Sequence, residues 1–417
     1  WVPLDITISH ARHATEYVQS GQNPVVTECL GSRWEMPREQ MWFWQVKRNE
    51  HIASKNLHGF YQEMCLDGDS LVATDSGIIP IRNVVPGQVT EGGLVTRSVH
   101  NGNKPIVEIT TYAGRKLRCT KDHRICTAGG IWEEAQNLLN VPIQLSAPRS
   151  GREHNPELAR LLGYVMGDGC YSRGSLRISC DIKDTEVHRD VEYLLDRFYA
   201  KPLCITRGGM KEFQANNIQK EGWLRKLGIL QPRTQGPGRS SKFKRHVCVP
   251  DLIWKGDTET RGSFLSSLFE CDGHSAKRYA QTSLSAKDPN FLRGIQLLLL
   301  SFGLNSRISS DPKEVYRLTL NGKASDLFHH RIGFVSNRKR TSGKRTSGGH
   351  VGRPLSKNNF TDTVVSIVPC GNADVYDLTV RTAHSFGANG ILVHNCADDK
   401  EAFQSSNISI FEAEVID

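Results

Sequence analysis

The residues best suited to chemistry in this sequence are the tripeptide His394-Asn395-Cys396 near its end and Cys65 far upstream. An asparagine can cut its own peptide bond when its side-chain amide folds back onto its backbone carbonyl. A cysteine thiol can hold an acyl group as a thioester, and a neighbouring histidine can move the protons. These residue types predict a site that breaks and transfers peptide bonds, provided that the fold brings Cys65 close to Asn395.

The tripeptide alone also fits an asparagine in a surface turn beside an ordinary buried cysteine, so the prediction depends on further motifs. The 417-residue chain exceeds the usual length of one domain, and 38% hydrophobic residues suffice for packed cores. Its net charge of +9 favours a polyanionic partner such as nucleic acid. The chain shows no apolar run long enough to cross a bilayer and no signal-peptide pattern, and Trp1 in place of Met suggests a fragment.

The cysteines indicate a reducing compartment, for which we expect the cytoplasm of the host cell. Their number, 11, is odd, and no C-x-x-C pair occurs. Cys119, His123 and Cys126 could suggest zinc, but no second ligand pair follows at the spacing of a metal site.

The pattern of elements predicts an all-β unit that is split by an insert. Short β-type runs separated by glycine-rich turns fill residues 65–149 and return in 363–380. Between them, helical and strand patterns alternate over 155–335, and Asn155-Pro156 is a good helix start. A tight turn is predicted at Ala388-Asn389. For the chemistry to work, one part of the β unit must meet the other.

Residues 65–395 resemble an intein, with a Hint-type β fold interrupted by a LAGLIDADG homing endonuclease. The first matching block is Cys65-Leu66-Asp67-Gly68-Asp69-Ser70. Thr120-Lys121-Asp122-His123 matches the T-x-x-H block, and Val375-Tyr376-Asp377-Leu378-Thr379-Val380 with His384 matches the block before the final His-Asn-Cys. The resemblance implies a multidomain protein: a horseshoe-shaped all-β splicing domain and an α+β endonuclease with a twofold αββαββα repeat.

The resemblance also implies a role for each residue. Cys65 would attack the Met64 carbonyl, Thr120 would polarise that amide, and His123 would protonate the leaving nitrogen. Asp377 would tune the Cys396 thiol for attack on the thioester. His384 and His394 would serve cyclisation of Asn395, and no cofactor would be needed.

The insert carries the LAGLIDADG pattern twice, at 161–169 and 265–273. Small residues such as Gly163 would let the two helices pack closely, and their ends would bring Asp168 and Asp272 together. Such a carboxylate pair would bind Mg²⁺ for hydrolysis of double-stranded DNA, the expected partner. The pattern departs from the family at Leu162, where Ala is preferred, and at Met166, which replaces the first Asp. A catalytic lysine is also expected by resemblance, with Lys242 and Lys244 as candidates. Basic residues of the predicted strands would contact DNA phosphates and base edges: Arg173, Arg177, Lys242, Lys244 and Arg245.

The predicted organisation has six segments. They are an N-terminal flank (1–64), the first Hint part (65–150), the endonuclease (151–335), a basic linker (336–358), the second Hint part (359–395) and a C-terminal flank (396–417). The composition of the linker is compatible with a solvated, flexible segment or with a DNA-contacting loop. The joined flanks resemble the large terminase subunit of a tailed phage, part of a DNA-packaging motor.

Two other functions remain open from the sequence. The chain could be a DNA-packaging fragment with an inert insert, or a nuclease that does not splice.

Overall fold

The computed structural model describes residues 64–233, 242–276, 280–310, 315–341 and 360–395. Within this part of the chain, Met64–Asn395 forms one compact unit. Apart from Met64, both predicted flanks lie outside the described residues, and so does Cys396. No described helix is both long and apolar enough to cross a membrane.

A twelve-stranded β unit is built from the two ends of this compact region. Nine strands precede the insert: β1 (Leu66–Asp67), β2 (Leu71–Thr74), β3 (Gly77–Pro80), β4 (Val89–Thr90), β5 (Gly93–Thr111), β6 (Lys116–Cys119), β7 (Arg124–Cys126), β8 (Trp132–Glu134) and β9 (Pro142–Gln144). Three strands follow it: β20 (Thr361–Val380), β21 (Ser385–Ala388) and β22 (Ile391–His394). Neighbours run in the order β8-β7-β22-β21-β2-β4-β5-β6-β1-β20-β9, with β3 on β2. The late strands thus lie between early ones, and the predicted split all-β unit is confirmed.

Two long strands, β5 and β20, pair with each other antiparallel through several β-bulges. The sequence predicted short β-type runs within 363–380, where β20 is one continuous strand. The strand shifts register between Pro369 and Asn372. A bulge accommodates a proline, which cannot donate to the ladder.

A two-residue turn, Asn389-Gly390, joins β21 to β22. Both residues have positive φ, 50° and 79°, as a type I′ hairpin requires. The Asn389 side chain also accepts a hydrogen bond from the Leu71 amide at 2.8 Å. The tight turn therefore lies one residue later than the predicted Ala388-Asn389, because Ala388 is still paired in β21 and Gly390 supplies the second positive φ. It sets the position of the strand that leads to Asn395.

The insert consists of two similar α+β repeats. The first contains α1 (Pro156–Met166), β10 (Gly169–Ser172), β11 (Ser175–Asp181), α2 (Thr185–Phe198), β12 (Leu203–Arg207), β13 (Met210–Asn216) and α3 (Glu221–Lys226). A connection follows, with β14 (Leu230–Pro232), β15 (Phe243–Arg245) and α4 (Asp251–Lys255). The second repeat contains α5 (Thr258–Asp272), β16 (Gly273–Ser275), β17 (Gln281–Ala286), α6 (Pro289–Ser301), β18 (Arg307–Ser310), β19 (Tyr316–Asn321) and α7 (Lys323–Arg331), and α8 (Asn337–Arg340) comes after it.

The strand order is the same in both repeats, β10-β11-β13-β12 and β16-β17-β19-β18. The predicted αββαββα duplication is therefore confirmed. Helix α1 begins as predicted, since the Asn155 side chain accepts from the Leu158 amide and Pro156 follows it. Helices α1 and α5 pack so closely that a Cβ on Gly163 would lie 2.0 Å from the Ser267 hydroxyl. Glycine is therefore required at this crossing.

The insert shares buried contacts with the β unit. Arg115 forms a buried ion pair with Asp362 at 2.9 Å and donates to the Asn305 side chain of the insert at 2.8 Å. Gln296 on α6 donates to the backbone oxygen of Ala113 at 3.0 Å. Leu300, also on α6, lies in the hydrophobic core of the β unit. The splicing fold and the insert thus have a continuous interior.

Candidate functional site

Cys65 is buried immediately before β1. Its side chain is fully inaccessible and packs with Ile106 and Val375. Its backbone amide donates to the Thr120 hydroxyl at 3.2 Å, and the Thr120 amide donates to the Cys65 carbonyl at 3.0 Å. Thr120 therefore contacts the nitrogen of the Met64–Cys65 peptide bond, where the sequence predicted it to act.

The Cys65 sulfur lies in an environment that opposes a negative charge. The pKa of the thiol is raised to about 12, chiefly by burial, and the nearby carboxylates of Asp377 and Asp122 contribute to this rise. A hydrogen bond from the Asn101 side chain, 3.1 Å from Sγ, acts in the opposite direction. Asp377 is itself buried. Sequence reasoning identified Cys65 and Asp377 but missed Asn101.

His123 follows Thr120 by one tight turn, with its amide bonded to the Thr120 carbonyl at 3.1 Å. Its ring is fully buried, and among the described residues neither ring nitrogen completes a hydrogen bond. Burial lowers the pKa of His123 to about 4, while the Met64 backbone beside the ring raises it and His394 lowers it. The imidazole is thus neutral near pH 7, and the two residues that further affect its pKa, Met64 and His394, belong to the two ends of the predicted site.

Asn395 directly follows β22 and is fully buried. Its amide donates to the His384 carbonyl at 3.1 Å. Neither its side-chain nitrogen nor its side-chain oxygen has a hydrogen-bond partner within the described ranges. An unrestrained amide is what intramolecular attack requires, because a tightly bonded one would have to break those bonds first. The His384 side chain itself is exposed, and its residue has φ of 49°.

His394 lies against the bond that would be cut. Its Nδ1 contacts the Asn395 backbone oxygen at short distance. Burial lowers the pKa of His394, the interaction with Asn395 raises it, and the charges of Arg124 and His384 lower it. Trp132 packs edge-on against the His394 ring, with centroids 4.9 Å apart. The sequence did not single out Trp132.

The segment Thr120–Cys126 joins the two halves of the site. Its first residue bonds the Cys65 backbone, and Ile125 on β7 pairs with Val393 on β22. Cys65 and Asn395, 330 positions apart by residue number, are thereby brought to the same region. Cys396 lies outside the residues that the structure describes.

A second constellation lies where α1 and α5 end. Asp168 follows α1 and Asp272 ends α5, and both side chains reach solvent. Surrounding protein raises the pKa of both carboxyls, and the charge of Asp168 further raises the pKa of Asp272. Nearby Lys339 and Arg245 act in the opposite direction on both. The structure thus groups the two predicted carboxylates with two cations.

These two cations cap the two helices. Arg245 on β15 donates to backbone oxygens at the end of α1, including that of Val165 at 2.8 Å. Lys339 on α8 donates to the Gly273 oxygen at 3.1 Å, at the end of α5. The sequence suggested Lys242 or Lys244 as a catalytic lysine and Arg245 as a DNA contact. Arg245 is the residue that reaches the end of α1, and the catalytic lysine stays a prediction. Lys339 was assigned to the basic linker, whose first residues are instead folded against the insert; residues 342–359 lie outside the description.

The carboxylate pair suits a hard divalent cation. Mg²⁺ typically takes one or two protein carboxylates, with the rest of its ligands from water and substrate phosphates. Asp168 and Asp272 supply that number and type of donor. Within the described part of the chain, no group of three or more His, Cys, Asp or Glu side chains is placed to hold a metal.

Comparison with known proteins identifies the family. A family model described as "Intein splicing domain" matches residues 49–395, most of the chain. The chain belongs to this family. Its blocks at Cys65, Thr120–His123 and His394-Asn395 lie within the matched region.

Curated relatives of the chain have diverse names. It is 25% identical over 428 residues to the ribonucleoside-diphosphate reductase NrdEB subunit alpha of Bacillus subtilis (strain 168), covering 88% of this chain and 38% of that protein. It is 25% identical over 443 residues to the replicative DNA helicase DnaB of Rhodothermus marinus, covering 79% and 46%. The chain therefore spans less than half the length of these relatives.

Solved structures with similarity to the chain include a Ssp DnaB mini-intein, with TM-score 0.29, 14% identity, and coverage of 80% of this chain and 99% of that one. Another is the homing endonuclease I-DmoI, with TM-score 0.33, 16% identity, and coverage of 43% and 95%.

Proposed function

We propose that residues Cys65–Asn395 excise themselves from the chain and join the segments on either side. The observation that carries this proposal is the segment Thr120–Cys126, which bonds the Cys65 backbone through Thr120, pairs with β22 through Ile125 and carries the buried His123. One imidazole beside both scissile positions favours a single site that acts at each end of the excised segment.

The first step would be attack of the Cys65 sulfur on the Met64 carbonyl carbon. Thr120, bonded to the Cys65 nitrogen, would hold the amide, and His123 would supply the proton that the leaving nitrogen needs. Because the thiol and the imidazole are both neutral near pH 7, the reacting pair starts uncharged. The Cys396 thiol, tuned by Asp377, would then take over the acyl group.

Release of the downstream side would come from Asn395. Its buried side-chain nitrogen, which has no hydrogen-bond partner among the described residues, would attack the backbone carbonyl carbon of Asn395, whose oxygen lies against His394. His394 would polarise that carbonyl, and His384 would fix the Asn395 backbone through its carbonyl oxygen. The peptide bond to Cys396 would break as the ring closes.

Mass measurement of the expressed chain tests this proposal, since splicing gives an excised piece and a shorter ligated product. Cys65→Ala should stop ligation. Asn395→Ala should block release of the downstream segment while leaving thiol-induced cleavage after Met64. Ligated product from both variants would refute the proposal.

We further propose that the insert cuts double-stranded DNA at the site that the element would occupy. The carboxylate pair and its two cations support this function. Asp168 and Asp272 would hold Mg²⁺, which when bound would activate water and stabilise charge on the phosphate. Arg245 and Lys339 would stabilise negative charge on the phosphodiester.

Cutting of DNA that spans the uninterrupted insertion site tests the nuclease. Asp168→Asn combined with Asp272→Asn should abolish cutting and leave splicing unchanged. If the parent chain does not cut in the presence of Mg²⁺, the nuclease proposal fails and the splicing proposal stands.

The flanking segments, 1–64 and 396–417, would belong to a host protein that splicing restores. Their resemblance to a phage terminase large subunit makes DNA packaging the proposed host function. Sequencing the gene beyond both ends tests this, because a terminase requires a phosphate-binding ATPase loop upstream.

A further inference from the structure

Asn101 is the polar side chain that contacts the sulfur of Cys65. Its Nδ2 lies 3.1 Å from Sγ, within reach of a hydrogen bond to sulfur. No splicing motif in the sequence includes this position, and Asn101 belongs to the middle of β5. Its position beside Cys65 is therefore a property of the local fold.

A β-bulge turns Asn101 toward the site. The paired residues His100↔Tyr376 and Asn103↔Asp374 leave two residues of β5, Asn101 and Gly102, opposite one residue of β20. Gly102 has φ of 76°, which favours glycine. Bulges of this kind occur beside active sites, where they redirect a side chain.

The neighbouring asparagine shows what the bulge changes. Asn103 lies beyond the bulge on the same strand, and its side chain bonds Asp374 at 3.2 Å in an exposed position. Asn101 instead reaches a fully buried sulfur. The two asparagines share strand and chemistry but differ in partner, so Asn103 is a matched control.

The charges around Cys65 explain why a donor is useful there. Asp377 and Asp122 both disfavour a negative sulfur, and so does burial. An N–H group directed at sulfur favours the negative form. Asn101 can do this without adding a charge of its own.

We propose that Asn101 is a catalytic residue of the first acyl shift, where its side-chain N–H stabilises the Cys65 sulfur as the thiol proton leaves. In this step the sulfur bonds the Met64 carbonyl carbon and the carbon–nitrogen bond to Cys65 breaks. The thiol loses one proton and the nitrogen gains one, so no proton is consumed overall. This inference rests on the proposed splicing function.

Thiol-induced cleavage after Met64 tests it, in a parent that carries Asn395→Ala and Cys396→Ala so that only the first step occurs. We expect Asn101→Ala to slow cleavage by about 10- to 100-fold, the effect of one hydrogen bond to a charged group. Asn101→Asp should be slower still, because it replaces the donor by a third carboxylate. Asn103→Ala should cleave like the parent.

The nearly isosteric Asn101→Asp variant separates catalysis from packing. If Asn101 only filled space, Asn101→Asp would cleave like the parent, and that result would overturn the inference. Cleavage at Asn395 in a Cys65→Ala chain, measured for each variant, shows that the fold is retained.

A parent that gives no thiol cleavage would overturn the splicing proposal and this inference with it. A parent that cleaves, together with Asn101→Ala within about twofold of it, would overturn this inference alone.

Discussion

The buried imidazole of His123 should make the stability of this protein depend on pH. Its pKa is about 4 in the folded chain, against about 6.5 in an unfolded chain. Below pH 6.5 the unfolded chain takes up a proton that the folded chain refuses, so stability is present above that pH and is lost as the pH falls. The loss due to His123 is about 2 kcal/mol at pH 5 and about 3 kcal/mol at pH 4.

His123→Gln should remove this dependence, since glutamine does not titrate. Urea unfolding at pH 8 and pH 5 measures it, in a Cys65→Ala, Asn395→Ala background that cannot process itself. The difference in the free energy of unfolding between the parent and the variant should decrease by about 2 kcal/mol from pH 8 to pH 5. His154→Gln is a control of opposite sign, because the exposed ion pair with Asp257 raises the pKa of His154.

An equal difference in the free energy of unfolding at both pH values would refute the predicted pH dependence. It would mean that the folded chain accepts the proton as readily as the unfolded chain. The conclusion that His123 is neutral near pH 7 would then be wrong. The proposal that the first step starts from uncharged groups would fail with it.

Three further outcomes follow from buried or capping contacts. Arg115→Met should lower the free energy of unfolding by about 3–5 kcal/mol, measured in urea, because it leaves Asp362 buried without its cation. Trp132→Ala should slow cleavage at Asn395 about 3- to 10-fold, measured by mass, by releasing the ring that packs on His394; an unchanged rate would contradict the positioning role. Lys339→Met should reduce DNA cutting by about 10²-fold with splicing unchanged, and equal loss of both would indicate misfolding instead.

The sequence was informative where chemistry requires particular residue types in order along the chain. Thr120 and His123 could be found because the turn between them has fixed spacing, and Asp168 because a helix end followed by glycine repeats. The turn at Asn389-Gly390 was predicted to within one residue, since few residues adopt positive φ.

Contacts set by tertiary packing were not predictable in this way. Asn101 faces Cys65 because of a bulge, which shifts register by one residue. Gly102 marks that bulge in the sequence, but it does not show which side chain the bulge redirects. Arg245 and Lys339 reach helix ends from distant segments. Each has a neighbour in the sequence, Lys244 and Arg338, that is also basic. Successive side chains on a strand or helix point in different directions, and this decides which of two neighbouring cations faces the carboxylates.

The interior shared by the splicing fold and the insert bears on how this element changes over generations. Deleting α6 would remove Leu300 from beneath the Gly390 turn, where its Cδ2 lies 2.8 Å from the position of a Cβ on that glycine, and would leave a hollow beside the strand that carries Asn395. It would also remove Gln296, which bonds the Ala113 carbonyl of the β unit. A substitution at Asp168 disturbs neither contact. If the insert cuts DNA as proposed, lineages of this element should therefore lose that activity by substitution before they lose the insert by deletion. A full-length insert in a descendant is then not by itself a sign of a working nuclease.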